Sequence, residues 1–185
     1  MFKKKYPTAP LKTGVAKVPV IMQMEALECG AACLTMISAY YGYWVPLEQV
    51  RKDCGVSRDG SNARNILKAA RSYGFKAKGY RYEPQTLKKS GTFPCIVHWN
   101  FNHFIVLKGF KGNKVYINDP AKGDICISEK DFDAGFTGIC IFFELDDSFK
   151  VQGSQKSVVS FAKERLKGTQ TAFLLVLLTT IISSL

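Results

Sequence analysis

A change of hydrophobic period near Gly74 is the feature that most constrains the fold. Before it, apolar residues recur at helical spacing in three segments, 29–41, 46–55 and 59–75. After it, apolar residues alternate with polar ones or form short continuous runs, as in strands. Helices first and strands second predict an α+β domain in which N-terminal helices pack on one antiparallel sheet.

Capping residues set the predicted helix ends. The first helix is expected to begin at Cys29 and to stop at Gly42. The third is expected to take Ser61 as its N-cap and to end at Gly74. The predicted strands are "FKAKGYRY", "TFPCIVHWN", "HFIVLKGF", "KVYINDP", "DICIS" and "GICIFFEL", with a short helix near "EKDF". The third and fourth strands are joined across "KGN", which predicts a hairpin.

Four segments describe the predicted domain organisation. Residues 1–15 read as a basic tail, 16–147 as the domain, and 148–170 as a linker with a basic amphipathic stretch. Residues 171–185 form an apolar run of about 15 residues, short of the roughly 20 that cross a bilayer. We interpret this run as the start of a truncated transmembrane helix, and a buried core helix is the alternative. The basic residues just before it place that flank in the cytoplasm.

Charge and cysteine usage restrict the function classes. The 185-residue chain has a formal net charge of +11, which favours an anionic partner such as nucleic acid, a membrane surface or an acidic peptide. Its basic residues lack interleaved aromatics, so nucleic-acid binding is not expected. The six cysteines include no CxxC pair, and no secretory signal precedes the domain. We therefore expect free thiols, no metal and no cofactor.

Four residues could form a nucleophilic site. Cys29 stands at the predicted start of a helix, where backbone N–H groups favour a thiolate, and Gly30 would leave the backbone open to substrate. If the strands pair about "KGN", His103 and Asp119 reach the same end of neighbouring strands, as general base and orienting acid. Gln23 could stabilise an oxyanion. Taken singly, Cys29, His103 and Asp119 each have a structural alternative: a core thiol, a satisfied histidine and a turn-starting aspartate. Gln23 alone indicates no function.

The linked motifs resemble a known family. "QMEALECGAACLTMISAYYG", "HFIVL" and "YINDPAKG" resemble the bacteriocin-processing cysteine peptidase domain of peptidase-containing ABC transporters. The resemblance covers about residues 18–144. It implies a papain-like fold and assigns the family's catalytic positions to Gln23, Cys29, His103 and Asp119.

The resemblance also implies a function. Members of this family remove the leader of a bacteriocin- or lanthipeptide-type precursor by cutting after a double-glycine-type motif, and the exporter then transports the core peptide. The implied partners are a precursor with a helical leader and the transmembrane and nucleotide-binding domains of the same exporter. A further implied contact is the membrane, through the C-terminal segment. The implied location is the cytoplasmic side of a bacterial cell membrane.

Specificity and rival functions complete the predictions from sequence. In a papain-like site the chain before the catalytic histidine borders the cleft, so we expect Trp99, Asn100, Phe101 and Asn102 to form its wall. A narrow wall would select two small residues. One alternative is a catalytically silent domain that only binds leaders. The other is a different acyl transfer on the same residues.

Overall fold

The computed structural model describes residues 6–57, 60–154 and 170–183. The chain forms two compact units, Met1–Gly153 and Ser154–Leu185. The helices of the first unit are α1 (Cys29–Tyr40), α2 (Leu47–Asp53), α3 (Ala63–Ser72), α4 (Pro84–Ser90) and α5 (Glu129–Gly135). The strands are β1 (Gly14–Val15), β2 (Phe75–Arg81), β3 (Cys95–Trp99), β4 (His103–Lys111), β5 (Lys114–Asp119), β6 (Gly123–Ser128) and β7 (Phe136–Leu145).

The strands form one antiparallel sheet. Its order is β2-β7-β3-β4-β5-β6, and the short β1 pairs with β4. β4 and β5 form the predicted hairpin, with Lys111 opposite Lys114 and Val106 opposite Asn118. Because this hairpin is tight, the first residue of β4 and the last residue of β5 lie at the same end of these two neighbouring strands. The predicted α+β fold is confirmed.

Two hydrophobic clusters lie in this unit. The first contains α1, and every residue of that helix is buried. α1 packs on β4 and is covered by α2 and α3. The second cluster includes Leu87 of α4 and Phe132 of α5. A helix buried on all sides has little freedom to shift, so α1 holds its first residue firmly against the sheet.

The structure departs from the sequence predictions at several places. Asn62, not Ser61, caps α3: its side chain accepts a hydrogen bond from the backbone N–H of Asn65 at 2.8 Å. The Ser61 hydroxyl instead donates to the carbonyl oxygen of Leu27 at 3.3 Å. α4 was not predicted, because its seven residues are too few to establish a helical period. Within the predicted basic tail, residues 14–15 pair with the sheet.

The second unit is described over one helix, α6 (Gln170–Ser183). None of the helices in the described ranges combines the length and the apolar character needed to cross a membrane. The first five residues of the predicted tail, residues 155–169 of the predicted linker and the last two residues of the chain lie outside the described residues. The predicted domain boundaries therefore stay predictions.

Candidate active site

Cys29 is the first residue of α1. It follows a short 3-10 turn, Ala26–Glu28, and the residue is 5% exposed. The N–H groups in the first turn of a helix have no partner within the helix. Cys29 therefore stands at the end of α1 where backbone donors can stabilise negative charge.

His103 and Asp119 are in direct contact. Nε2 of the imidazole lies 2.8 Å from Oδ1 of Asp119, whose side chain is 4% exposed. The same oxygen accepts the backbone N–H of Ala121 at 2.8 Å, which fixes the carboxylate. Since Asp119 engages Nε2, the other ring nitrogen, Nδ1, is left for a second partner. This is the arrangement in which a carboxylate orients a catalytic imidazole.

Cys29 also influences His103. Burial by itself lowers the pKa of the imidazolium, and it is the largest single influence on that pKa. Interactions with Cys29 and with Asp119 act in the opposite direction and together outweigh burial. The pKa of His103 is therefore raised above its ordinary value of 6.5. A protonated imidazole between a thiol sulfur and a carboxylate can stabilise a thiolate and later release its proton.

His98 has a different environment. Its Nδ1 lies 2.9 Å from the hydroxyl of Thr137, and its ring packs on Phe104 with centroids 5.0 Å apart. Burial, and then repulsion from His103, lower the pKa of His98 below 6.5. A neutral histidine with a hydroxyl partner has no means of holding a thiolate, which agrees with the choice of His103 made from the strand register.

Gln23 is held close to His103 and Asp119 by its backbone. Its N–H donates to the carbonyl oxygen of Pro120 at 2.9 Å, and Pro120 directly follows Asp119. The side-chain oxygen Oε1 is buried and has no hydrogen-bond partner among the described residues. The side chain therefore lies beside His103 and Asp119 without a fixed partner for its oxygen.

A cavity of about 300 Å³ opens at the start of β4 and the end of β5. Its lining residues are Gln23, Ala26, Trp99, Asn100, Asn102, His103, Asp119, Ala121 and Lys122. Three of the four predicted wall residues therefore line a space shared with Gln23 and His103. Phe101, the fourth, is 84% exposed and does not line this cavity. Its part in substrate binding stays a prediction.

The turn before His103 is strained. Asn100 and Phe101 have φ values of 46° and 62°, in the left-handed region that asparagine tolerates and phenylalanine rarely adopts. The backbone N–H of Asn100 donates to the carbonyl oxygen of Gly135 at 2.9 Å, which holds the turn against α5. Strain of this kind persists where the surroundings fix the backbone, and it is frequent at functional sites.

Gly30 has a packing role that the sequence did not indicate. It is buried, and a Cβ at this position would lie 2.6 Å from Cβ of Ser61 and 2.8 Å from Cδ1 of Ile66. The glycine therefore allows α1 to approach α3 and the loop before it, and its predicted opening of the backbone to substrate stays a prediction. Sequence reasoning could not find this contact, because it joins residues more than thirty positions apart.

The other thiols are separate from the site chemistry. All six cysteines are free, and Cys33, one turn after Cys29, is completely buried. Its thiol donates to the carbonyl oxygen of Phe104 at 3.3 Å, and burial raises its pKa well above the ordinary value. No group of side chains suited to holding a metal ion is present among the described residues.

Two functional candidates were missed from sequence. The sequence places Glu28 directly before Cys29, but no local pattern indicates a role for Glu28 or for Arg51. In the structure Nη1 of Arg51 lies 3.0 Å from Oε1 of Glu28, whose side chain is 5% exposed. A carboxylate directly before a candidate nucleophile is a usable signal, but nothing in the local sequence connects it to an arginine 23 positions later.

The part of the chain that contains these residues is similar to known proteins. The model of the peptidase C39 family matches residues 17–148. The colicin V secretion/processing ATP-binding protein CvaB of Escherichia coli is 37% identical over 125 residues, which are 68% of this chain and 18% of that protein. The chain thus spans about a fifth of the length of the curated relatives it matches.

Two solved structures resemble the chain. One is a double glycine motif protease from an AMS/PCAT transporter in complex with the leader peptide; it is 73% identical, with a TM-score of 0.73, and the match covers 74% of this chain and 98% of that one. The other is the peptidase domain of Streptococcus ComA, a bifunctional ABC transporter of a quorum sensing pathway. It is 26% identical, with a TM-score of 0.65, and the match covers 69% of this chain and 98% of that one.

Proposed function

This chain belongs to the peptidase C39 family and is a cysteine peptidase, and we propose that it removes the leader from a precursor peptide of bacteriocin or lanthipeptide type. The cut follows a double-glycine-type motif. The observation that carries the proposal is the 2.8 Å contact of His103 with Asp119, together with the interaction with Cys29 that helps to raise the pKa of His103, in a chain 73% identical to a double glycine motif protease.

The proposed reaction runs through a thioester. The Cys29 thiolate attacks the carbonyl carbon of the second small residue, and the carbonyl oxygen becomes an oxyanion. Protonated His103 gives its proton to the leaving amine, which departs with the core peptide. A water molecule then attacks the thioester while His103 accepts its proton; the C–S bond breaks, the leader is released, and the Cys29 thiolate and protonated His103 are restored.

Asp119 and Gln23 have supporting roles in this proposal. Asp119 holds Nε2 of His103, so Nδ1 faces the sulfur, and its charge favours the imidazolium. Gln23 donates a side-chain N–H to the oxyanion, together with the backbone N–H at the start of α1. The side chain of Gln23 lines the same cavity as His103, which suits this role.

Selection of small residues is attributed to the cavity wall. Trp99 packs on Phe132 with ring centroids 5.7 Å apart. A Cβ on Gly135 would lie only 2.4 Å from Cζ2 of its indole. Such packing leaves Trp99 little room to move aside for a bulky substrate residue. Asn100 and Asn102 complete this side of the cavity.

We further propose that the domain acts as part of an exporter. CvaB is described as a secretion/processing ATP-binding protein, and this chain corresponds to about a fifth of its length. The proposed partners are the precursor peptide and the transmembrane and nucleotide-binding domains of the same exporter. In this proposal residues 171–185 begin the first transmembrane helix, and the domain lies on the cytoplasmic side of the cell membrane.

Incubation of the 185-residue chain with a precursor tests the function. The precursor carries an acidic helical leader that ends in Gly-Gly before a short core, and mass spectrometry identifies the products. One cut after the second glycine is expected, and it should be absent with Cys29→Ala and with a precursor whose Gly-Gly is replaced by Val-Val. A precursor that binds but stays intact would contradict the peptidase and favour a domain that only binds leaders.

A further inference from the structure

One buried carboxylate organises the loop that joins Gln23 to Cys29. Glu28 is 4% exposed, and its Oε2 accepts the backbone N–H groups of Met24 at 3.0 Å and of Glu25 at 3.1 Å. The loop thus folds back on the side chain of its own last residue. A buried carboxylate with two backbone donors fixes the path of the chain more firmly than a turn closed by backbone hydrogen bonds alone.

Arg51 of α2 completes this arrangement. Its Nη1 lies 3.0 Å from Oε1 of Glu28, so both oxygens of that carboxylate are engaged. The same guanidinium holds Glu25 with two contacts, Nη1 to Oε1 at 3.0 Å and Nη2 to Oε2 at 2.8 Å. The planar donor group of arginine suits such paired contacts, and lysine could not reproduce them. Arg51 therefore ties Glu25 and Glu28 of the loop to a separate helix.

The first residue of the loop, Gln23, is tied to the sheet. The backbone N–H of Gln23 donates to Pro120, directly after Asp119. Since the side-chain oxygen of Gln23 has no partner among the described residues, no hydrogen bond to that oxygen sets the direction of the amide. The position of its backbone therefore contributes to the direction of the amide, and that backbone lies between the Pro120 contact and the loop around Glu28.

We propose that Glu28 and Arg51 are positioning residues that hold Gln23 where its amide meets the oxyanion. This inference rests on the proposed function, and it adds two residues that neither bind substrate nor exchange protons. Its consequence is specific: loss of either residue should weaken stabilisation of the oxyanion while the reactivity of Cys29 and the binding of the precursor persist.

Two variants and one matched control test the inference. Glu28→Ala and Arg51→Gln should each lower kcat by about 10-fold to 100-fold, with KM changed by less than about twofold, since misplacing a transition-state donor acts on the chemical step. Arg51→Gln is included because its side chain is 37% exposed, so the variant should fold even if Glu28→Ala does not. Lys52→Gln is the control: Lys52 is the next residue of α2 and pairs with Glu48 at 3.6 Å, away from the loop. Its kcat should equal that of the wild type.

Alkylation by iodoacetamide separates Gln23 from Cys29. This reaction displaces iodide from a saturated carbon and forms no oxyanion, so it needs the thiolate but not Gln23. Peptide mapping distinguishes Cys29 from the exposed Cys126. The rate at Cys29 should be unchanged in both variants, and an equal loss of alkylation and cleavage would mean that Glu28 and Arg51 act on the nucleophile, which overturns the inference.

A double-mutant cycle decides the route of the effect. In a Gln23→Ala background, Arg51→Gln should lower kcat by less than about threefold, because the donor that it positions is already gone. An undiminished effect in that background, or a normal kcat in both single variants, would also overturn the inference. A wild-type chain that cleaves no precursor would instead contradict the proposed function itself, so the two failures are distinguishable.

Discussion

The two histidines lie on neighbouring strands and have opposite electrostatic environments. His98 of β3 has a hydroxyl partner, Thr137, and an aromatic neighbour, and its pKa is lowered. His103 of β4 has a buried carboxylate and a thiol, and its pKa is raised. The pair shows that burial alone does not decide the direction in which the pKa of a histidine shifts. Burial disfavours the imidazolium at both positions, and only anionic partners reverse this effect at His103.

Replacement of each histidine by alanine should give the largest difference in the rate of precursor cleavage. His103→Ala should lower kcat/KM for precursor cleavage by about 10³-fold or more, because it removes the base, the acid and the partner of the thiolate together. His98→Ala should change it by less than roughly threefold, since no proton transfer uses that ring. Steady-state cleavage assayed by mass spectrometry measures both. Comparable losses in the two variants would contradict the distinction.

The partner of each histidine gives the next largest contrast. Asp119→Asn should lower kcat/KM by about 10-fold to 100-fold, because the neutral amide no longer favours the imidazolium. In the proposed reaction activity requires protonated His103, so it should fall as pH rises through the pKa of this group. Loss of the negative partner lowers that pKa, and the alkaline limb of the profile should move to lower pH. The measurement is kcat/KM against pH.

Thr137→Val is the matched control for that experiment. It removes the hydroxyl beside Nδ1 of His98 and keeps the shape of the side chain. The alkaline limb of the profile should stay where it is in the wild type. A shift equal to that of Asp119→Asn would show that His98 also controls the active protonation state.

The thiols of α1 extend the comparison with a smaller effect. Iodoacetamide should modify Cys29 in the native chain, and His103→Ala should slow this by roughly 10-fold because the thiolate loses its cation. Cys33 should react only after unfolding, since its thiol is completely buried and hydrogen bonded. Peptide mapping after timed alkylation reads each site. Early modification of Cys33 would show that α1 opens in the native state.

Opposite pH dependences of stability are the smallest expected effect. A raised pKa in the folded chain means that His103 stabilises the fold below its ordinary pKa of 6.5, and this contribution is lost as pH rises through the raised value. For His98 the lowered pKa reverses the sign: its contribution is present above 6.5 and is lost as pH falls through the lowered value.

Urea unfolding at about pH 5.5 and about pH 7.5 measures these signs, with His98→Phe and His103→Phe as the variants. On acidification, the wild type should lose stability relative to His98→Phe and gain stability relative to His103→Phe. Slopes of the same sign for both variants would contradict the opposite pKa shifts.

Local patterns in the sequence predicted much of the molecule. The change of period near Gly74 gave the order of helices and strands, and the "KGN" turn gave the hairpin that brings His103 to Asp119. These predictions succeed because hairpin register and helical period depend on residues close in sequence. The short helix α4 was missed because seven residues carry too few apolar positions to define a period.

Contacts between distant segments were beyond such patterns. Ser61 was predicted to cap α3, but its hydroxyl donates to the carbonyl oxygen of Leu27. The N-cap of α3 is Asn62 instead. Gly30 was predicted only to leave the backbone open to substrate, and the structure adds a packing role, because Ser61 and Ile66 lie where its Cβ would be. In each case a long-range neighbour, not the local sequence, decides the role of the residue.

The sequence by itself determined the fold class, the family resemblance and the four candidate catalytic residues. Only the tertiary structure decided which of them share a cavity, which histidine holds a raised pKa, and that Arg51 ties the loop of Glu28 to α2. The physical reason is that pKa values, burial and ion pairs depend on distances of a few ångströms between segments far apart in the chain. Such distances are set when helices pack on the sheet, and no local period records them.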